Sequence, residues 1–250
     1  PVLERGAVNL TMNLSPLKDA DQVTRGVAIV VDDLTETKRL RSKYEIFQRM
    51  VSPAVIESLP DDPSQLKLGG LRQELTVLFA DIRGFSTFSE HLDPEQLLDI
   101  LNQYLGIGAE AVLLQQGTLD KFIGDAIMAV FNAPLPQPDH ALRAVRAALR
   151  IKQDIETHQA SLPPQFRLSF GIGVNTGNAV VGMVGARSRL DYSAIGDDVN
   201  LAKRIQEISA KGQILISHST YEKVAEHVLA EALGPVKVKG REQPVEIYEL

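Results

Sequence analysis

The sequence contains no cysteine and no tryptophan, and aromatic residues make up only 5% of it. Without cysteine, disulfides, thiolate zinc centres, iron–sulfur clusters and cysteine nucleophiles are all excluded, and a reducing cytoplasmic setting fits. With so few aromatics, the core must be built mainly from Leu, Ile, Val and Ala. Long apolar runs are missing too. Purely apolar stretches such as Val27 to Val31 fall far short of the roughly 20 residues that span a bilayer. No membrane span and no signal peptide are expected in this segment, which leaves open whether a parent protein is tethered to a membrane. Nor is there an excess of basic charge. The 26 basic and 32 acidic residues leave a net charge of −6, which argues against a nucleic-acid binder working by bulk charge. What is present is ordinary for a soluble globular chain: 250 residues, 44% apolar and 23% charged, so disorder and fibrous repeats are not expected. The chain opens on Pro1 in what reads as mid-domain sequence, as expected of a segment of something longer.

Three regions separate by pattern. Residues 1–34 hold short β-like runs, with Val8, Leu10 and Met12 in alternation and an apolar run Gly26–Val31 ending at Asp32-Asp33. A helical stretch is predicted from about Thr35 to Leu59. Its apolar residues Leu40, Tyr44, Phe47 and Val51 step by four, three and four, the spacing of a coiled-coil seam, while Lys38, Arg39, Arg41 and Lys43 lie off it as a solvated basic face. Pro53 either breaks this helix or opens a new one at its first turn. After the punctuation Pro60-Asp61-Asp62-Pro63 and Gly69-Gly70, a compact domain is expected from about Arg72 to Leu250. There Leu75–Ile82 reads as a buried strand and Pro94–Gln115 as a helix. Thr118–Ile123 and Ala126–Phe131 read as a hairpin around Gly124-Asp125, followed by a helix over about Asp139–His158. Strands at Arg167–Val174 and Ala179–Val184 are joined by the turn residues Asn175–Asn178. A helix over about Asp198–Ala210, a strand at Gln213–Ser217 and a final antiparallel pair near Val236 and Ile247 complete the pattern. This order predicts an α+β fold of the ferredoxin-like kind, one mainly antiparallel sheet with helices packed on a face.

Three stretches carry candidate chemistry. In Phe79-Ala80-Asp81-Ile82-Arg83-Gly84-Phe85-Ser86, an apolar strand delivers Asp81 to its end and a glycine turn leads into a short helix. A carboxylate beside free backbone amides suits a metal-bound polyphosphate, although a lone strand-end Asp is more often a cap or turn residue. In Leu119-Asp120-Lys121-Phe122-Ile123-Gly124-Asp125-Ala126, Asp125 sits at a tight turn, where an Asx-turn is the bland explanation. If this hairpin pairs beside the Asp81 strand, the two carboxylates share metal ions, a standard device for displacement at phosphorus. Lys121 is either an exposed strand lysine or a donor to a ligand. In the stretch from Leu190 to Arg204, Asn200 and Arg204 are four apart and point the same way on a helix. They suit orienting a sugar and neutralising phosphate charge, or simply form a polar face.

Taken together and in this order, Phe-Ala-Asp-Ile-Arg-Gly-Phe, Lys-Phe-Ile-Gly-Asp-Ala and Tyr-Ser-Ala-Ile-Gly-Asp-Asp-Val-Asn-Leu-Ala-Lys-Arg resemble the class III nucleotidyl cyclase catalytic domain over residues 72–250. The Gly26–Lys38 stretch, with Asp33-Leu34-Thr35-Glu36 after an apolar strand, resembles the end of a PAS-type sensor domain feeding a signalling helix over 35–71.

The resemblance implies two Mg²⁺ or Mn²⁺ ions per site at Asp81 and Asp125, completed by the carbonyl of Ile82. Backbone amides from Arg83 through Gly84, Phe85 and Ser86 then hold phosphate. Lys121 and Ser193 match the two purine readers. Lys at the first position resembles adenylyl rather than guanylyl cyclases, which carry Glu, and this agrees with an ammonium donating to the acceptor N1 of adenine. Ser at the second resembles a bacterial group and discriminates less than a carboxylate. Asn200 matches the ribose-orienting residue and Arg204 the α-phosphate ligand. Lys239 matches a late phosphate-gripping lysine, with Lys237 and Arg241 as alternatives. No residue has a clear claim as general base, and Asp81 or solvent is left open. The resemblance further implies a homodimer with two shared sites, ATP as substrate, and cyclic AMP and pyrophosphate as products, in signal transduction. A guanylyl cyclase and a catalytically silent nucleotide-binding module are the alternatives.

Overall fold

A computed structural model describes residues 8–90, 92–186, 188–239, 241 and 243–250. The chain divides into two compact units, one ending at Val51 and one running Ser52–Leu250. In the first, β1 (Leu10–Lys18) pairs antiparallel with β2 (Thr24–Asp33), and α1 (Thr35–Met50) follows. The Asn9 amide donates to Thr35 Oγ1 at 2.8 Å and Lys38 Nζ donates to Asn9 Oδ1 at 3.1 Å, tying the ribbon to the helix start. Both strands are exposed along nearly their whole length, and a two-stranded ribbon is marginal by itself. The seam residues Leu40, Tyr44 and Phe47 are exposed on α1. The single helix expected over 35–59 is two: α1 ends at Met50 with Val51 extended, and α2 (Pro53–Ser58) opens with Pro53 in its first turn. Proline lacks the amide that a continuous helix would need at that point.

The second unit continues with β3 (Gly69–Ile82), α3 (Phe85–Ser89), α4 (Pro94–Leu114), β4 (Thr118–Ile123) and β5 (Ala126–Phe131). Next come α5 (His140–Ala160), β6 (Phe170–Ala186), β7 (Arg189–Ile195) and α6 (Asp197–Ile208). It ends with β8 (Ile214–Ser217), α7 (His218–Val224), β9 (Glu231–Val236) and β10 (Val245–Glu249). Eight strands form one sheet in the order β4-β5-β3-β6-β8-β10-β9, with β7 also paired to β6. Every pairing is antiparallel except β6 with β8. This is the expected α+β architecture.

Two expectations are corrected. Gly69-Gly70 is not punctuation but the start of β3, and Asn175–Asn178 is not a turn but the middle of one 17-residue strand. Turn-type residues are held extended because partners satisfy them where a turn would have used water. Thr176 Oγ1 lies 2.8 Å from Thr76 Oγ1 and 3.0 Å from Thr220 Oγ1, and Asn175 Nδ2 donates to the Asp198 carbonyl at 2.8 Å. Strand β7 and helix α7 were not anticipated.

Alternation along β3 sorts the core onto two faces. Leu78, Ala80 and Ile82, with Ile127, Ala129 and Phe131 of β5, pack against α4 and α5 through Tyr104, Val112, Val145 and Ile151. Leu75, Val77 and Phe79, with Met128 and Val130, face the other side, where Val199 and Ala202 of α6 pack. Helices therefore cover both faces, not one. By length and composition α4 is apolar enough to cross a membrane, but Tyr104, Leu105, Ala111 and Val112 are buried in the protein core. Ala179, Val181 and Ala194 join the α6-side cluster. The β6–β7 hairpin, paired to the sheet through β6, thus also curls over that face.

Helix α6 lies hard against β6. A Cβ on Gly173 would sit 2.2 Å from the Gln206 amide nitrogen and 2.6 Å from the Ala202 carbonyl oxygen, both backbone atoms that cannot swing aside. Gly173→Ala is therefore expected to cost about 2–3 kcal/mol, at the upper end for overpacking. Denaturant unfolding would show this, and an unchanged midpoint would contradict the close approach.

Candidate active site

The β3–β5 ladder sets Asp81 opposite Ala126, and the next amide, that of Ile82, reaches the Asp125 carbonyl at 3.4 Å. The strand end and the hairpin turn thus meet, as the sequence suggested. Burial first, and the Asp125 carboxylate second, hold the Asp81 carboxyl above the ordinary aspartate range, against the opposing pull of Arg83. Two carboxylates crowded in this way, one of them half-buried, are an oxygen-donor set suited to a hard divalent cation. Among the described residues no three carboxylate, imidazole or thiol groups cluster. A cation at this pair would be held by the two aspartates and draw further oxygens from a bound phosphate, which is how Mg²⁺ is usually held. The residues present fit such an ion.

The turn after β3 places Gly84 at φ +79°, a left-handed conformation that favours glycine, at the start of α3. Gly84 brings no capping side chain to this helix. Phe85 packs on the main core, while Ser86 is exposed. Arg83, which no motif had singled out for its side chain, stands beside Asp81 at 3.7 Å. Its guanidinium donates to the Gln206 carbonyl and, at 3.0 Å, to Ser209 Oγ, fastening the strand end to α6.

Lys121 and Ser193 are brought together although 72 residues separate them: Lys121 Nζ donates to Ser193 Oγ at 3.3 Å. The curl of the β6–β7 hairpin produces this contact. It carries Ser193, opposite Gly182 on β6, over the sheet face to β4. A third residue, missed from sequence, completes the group. The β4–β5 register shifts between Leu119 and Lys121, so Asp120 is the extra residue of a bulge. Its side chain is 2% exposed and lies 3.1 Å from Lys121 Nζ. Ser193 Oγ donates to Asp120 Oδ2 at 2.6 Å. Bulges re-aim side chains at functional sites. The only sequence signal was a second charged residue interrupting an apolar strand.

Asn200 is exposed on the first turns of α6, and Arg204 follows one turn on. Arg204 Nη1 is buried without a hydrogen-bond partner, the condition of a cation awaiting an anion. It forms no ion pair with Asp81, on which the α6 charges that bear are Glu207 and Lys203. Arg241 pairs with Asp197 and Asp198 at the start of α6. Lys237 and Lys239 are exposed on either side of buried Val238. An open cleft of about 600 Å³ near Asp197, His218 and Arg241 is lined by none of the other predicted site residues.

Residues 71–250 match the family described as the adenylate and guanylate cyclase catalytic domain. Adenylate cyclase 1 of Rhizobium meliloti (strain 1021) is 39% identical over 185 residues, which are 72% of this chain and 28% of that protein's length. The crystal structure of the adenylyl cyclase CyaB from P. aeruginosa superposes with a TM-score of 0.67 at 39% identity, covering 72% of this chain and 94% of that one. That of the guanylyl cyclase Cya2 follows at a TM-score of 0.66 and 37% identity, covering 73% and 93%.

A carboxyl held above its unfolded value binds its proton more tightly in the folded state. Stability therefore falls as pH rises through that raised value, and the full penalty is present at neutral pH. Asp81→Asn is expected to raise the cation-free Tm at pH 7 by roughly 2–4 °C, the equivalent of about 1 kcal/mol for a domain of this size. The gain should shrink as pH is lowered toward about 4. Mn²⁺ should raise the Tm of the parent chain and not of the variant. A variant less stable than its parent at pH 7, with folding intact, would contradict the crowding of the two carboxylates.

Proposed function

We propose, from the premise that this chain belongs to the adenylate and guanylate cyclase catalytic-domain family, that it is an adenylyl cyclase. It converts ATP to 3′,5′-cyclic AMP and pyrophosphate. The observation that carries this reading is the Lys121–Ser193 pair. An ammonium that only donates stands 3.3 Å from a hydroxyl oxygen, which suits the adjacent acceptor N1 and donor amino group of adenine. Guanine offers an N–H donor where Lys121 needs an acceptor. Overall similarity does not choose the base, since an adenylyl and a guanylyl cyclase match almost equally. Lys121 does.

Asn200 orients the ribose, and Arg204 takes the α-phosphate, occupying its orphaned nitrogen as negative charge builds there. Lys239 and the amides of Gly84, Phe85 and Ser86 hold the remaining phosphate oxygens, while the Arg83 amide, expected to join them, already donates to the Ser169 carbonyl at 2.9 Å. The ribose 3′-oxygen bonds to the α-phosphorus, its proton passes to solvent, and the bond from that phosphorus to the bridging oxygen breaks to release pyrophosphate. Divalent cations, Mg²⁺ or Mn²⁺, held by Asp81, Asp125 and the Ile82 carbonyl supply charge neutralisation and lower the pKa of the attacking hydroxyl.

The two halves of the site come from different copies of the chain. One contributes Asp81 and Asp125, its partner Lys121, Ser193, Asn200, Arg204 and Lys239, so a homodimer has two equivalent sites. In support, Leu71, Phe122, Ile123, Val180 and Ile195 on β3, β4, β6 and β7 are exposed apolar side chains, a feature of association surfaces. The N-terminal ribbon is the end of a PAS-like sensor and α1 a cytoplasmic signalling helix, whose exposed Leu40, Tyr44 and Phe47 form the pairing seam.

With ATP and Mn²⁺ the purified chain should form cyclic AMP. Lys121→Glu should lower kcat/KM for ATP about 100-fold, the worth of one charge-assisted hydrogen bond turned into a mismatch. Turnover of GTP in preference to ATP by the unaltered chain would establish the guanylyl alternative. Asp81→Ala and Arg204→Ala should each be inactive alone. An equimolar mixture should recover roughly 25% of activity, from half the dimers carrying one intact site of two. No recovery while mixed dimers form would refute site sharing.

A further inference from the structure

Asp120 has no part in the reaction just described, yet it is the buried member of the base-reading group. Its Oδ2 accepts from Ser193 Oγ at 2.6 Å and from the Ala194 amide at 3.4 Å. Its Oδ1 is buried without a hydrogen bond of its own, 3.1 Å from Lys121 Nζ. A serine hydroxyl has one proton and two lone pairs. Here the proton is committed to Asp120 and one lone pair faces Lys121 at 3.3 Å. The Ser193 oxygen has nothing left for a ligand except acceptor capacity. Left to itself a hydroxyl rotates and serves donors and acceptors alike, which makes it a poor judge of a base edge.

We infer that Asp120 is a positioning residue that fixes the polarity of the Ser193 hydroxyl. It thereby turns an indiscriminate serine into one that accepts the adenine amino group and refuses the guanine carbonyl. This role presupposes the adenylyl reading above and adds the residue that enforces it. The bulge is what makes the arrangement possible. With strict alternation Asp120 and Lys121 would point to opposite faces of β4, whereas the register shift between Leu119 and Lys121 lets the buried carboxylate reach both members of the pair. Discrimination comes from an unfavourable pairing: guanine would set its carbonyl oxygen against a lone pair that cannot turn away.

The test compares kcat/KM for ATP and GTP in the full chain and in Asp120→Ala, Asp120→Asn, Ser193→Ala and Asp120→Ala/Ser193→Ala, with equilibrium Kd values for both triphosphates and Tm alongside. Asp120→Ala frees the hydroxyl, and the ATP:GTP ratio should fall roughly tenfold, mainly through tighter GTP binding and better GTP turnover. In Asp120→Asn the amide oxygen, set by the Ala194 N–H, still takes the Ser193 proton, and the ratio should stay within about threefold of the parent's. Because the amide also preserves packing, the Ser193→Ala background is what separates the two roles. In the Ser193→Ala background, Asp120→Ala should leave the ratio within about twofold, since no hydroxyl remains to turn. An unchanged ratio in Asp120→Ala, or an equal fall with and without Ser193, overturns the inference while leaving the adenylyl reading intact. A parent chain that prefers GTP overturns the reading itself. A variant that loses Tm and activity toward both nucleotides in equal proportion marks Asp120 as structural only and also overturns the inference.

Discussion

The antiparallel ladder between β3 and β6 is the constraint from which the rest of the catalytic unit follows. Fourteen consecutive pairs, from Gly69 opposite Met183 to Ile82 opposite Phe170, fix one register. A slip by one residue would turn Leu75, Val77 and Phe79 out of one core and Leu78, Ala80 and Ile82 out of the other. The same register sets Asp81 at the strand end beside the β4–β5 turn and leaves Gly173 bare under α6. Buried hydroxyls reinforce it. Thr76, Thr176, Thr220 and Ser217 hydrogen-bond in series, with His140 Nδ1 at 2.7 Å from Thr76 and its imidazole pushed toward the neutral form by burial. Any other register would leave these groups unpaired in the interior.

Several of the groups that look costly lie where the chemistry is proposed, although Ser52, His158 and Gln206 also bury a polar atom without a hydrogen bond. Asp81 is pressed by burial and by Asp125, one nitrogen of Arg204 has no hydrogen-bond partner, and one oxygen of Asp120 has only the ion pair with Lys121. Under the proposed function, a triphosphate and its cations would relieve the first two. Active sites are commonly tolerated at such a cost because the remainder of the fold supplies the margin.

Much of this was legible in the sequence, and what was not has definite causes. The hairpin Thr118–Ile123 and Ala126–Phe131 was read to the residue, because two apolar runs around Gly124-Asp125 leave no other interpretation. Asp81 at the end of an apolar strand was equally plain. Asn175–Asn178 misled because turn composition is a local signal, whereas its partners Thr76, Asp198 and Thr220 are distant in the chain. Strand β7 was hidden because its two buried residues, Ser193 and Ala194, are small and one is polar. Asp120 escaped notice because a bulge is a property of two strands in register, not of either alone. The pairing of Arg241 with Asp197 and Asp198 was likewise not legible, since those partners lie more than 40 residues away.

The curl of the β6–β7 hairpin makes two tasks mechanically separable. Asp81 ends the β3–β5 ladder and Asp125 sits in the adjoining β4–β5 turn, but Lys121 and Ser193 meet because one hairpin bends across the sheet to touch β4. The spacing of Lys121 and Ser193 is therefore set by the hairpin and that of Asp81 and Asp125 by the ladder. Under the proposed function, base recognition and cation binding would answer to different parts of the fold, joined by β6, the strand against which α6 packs.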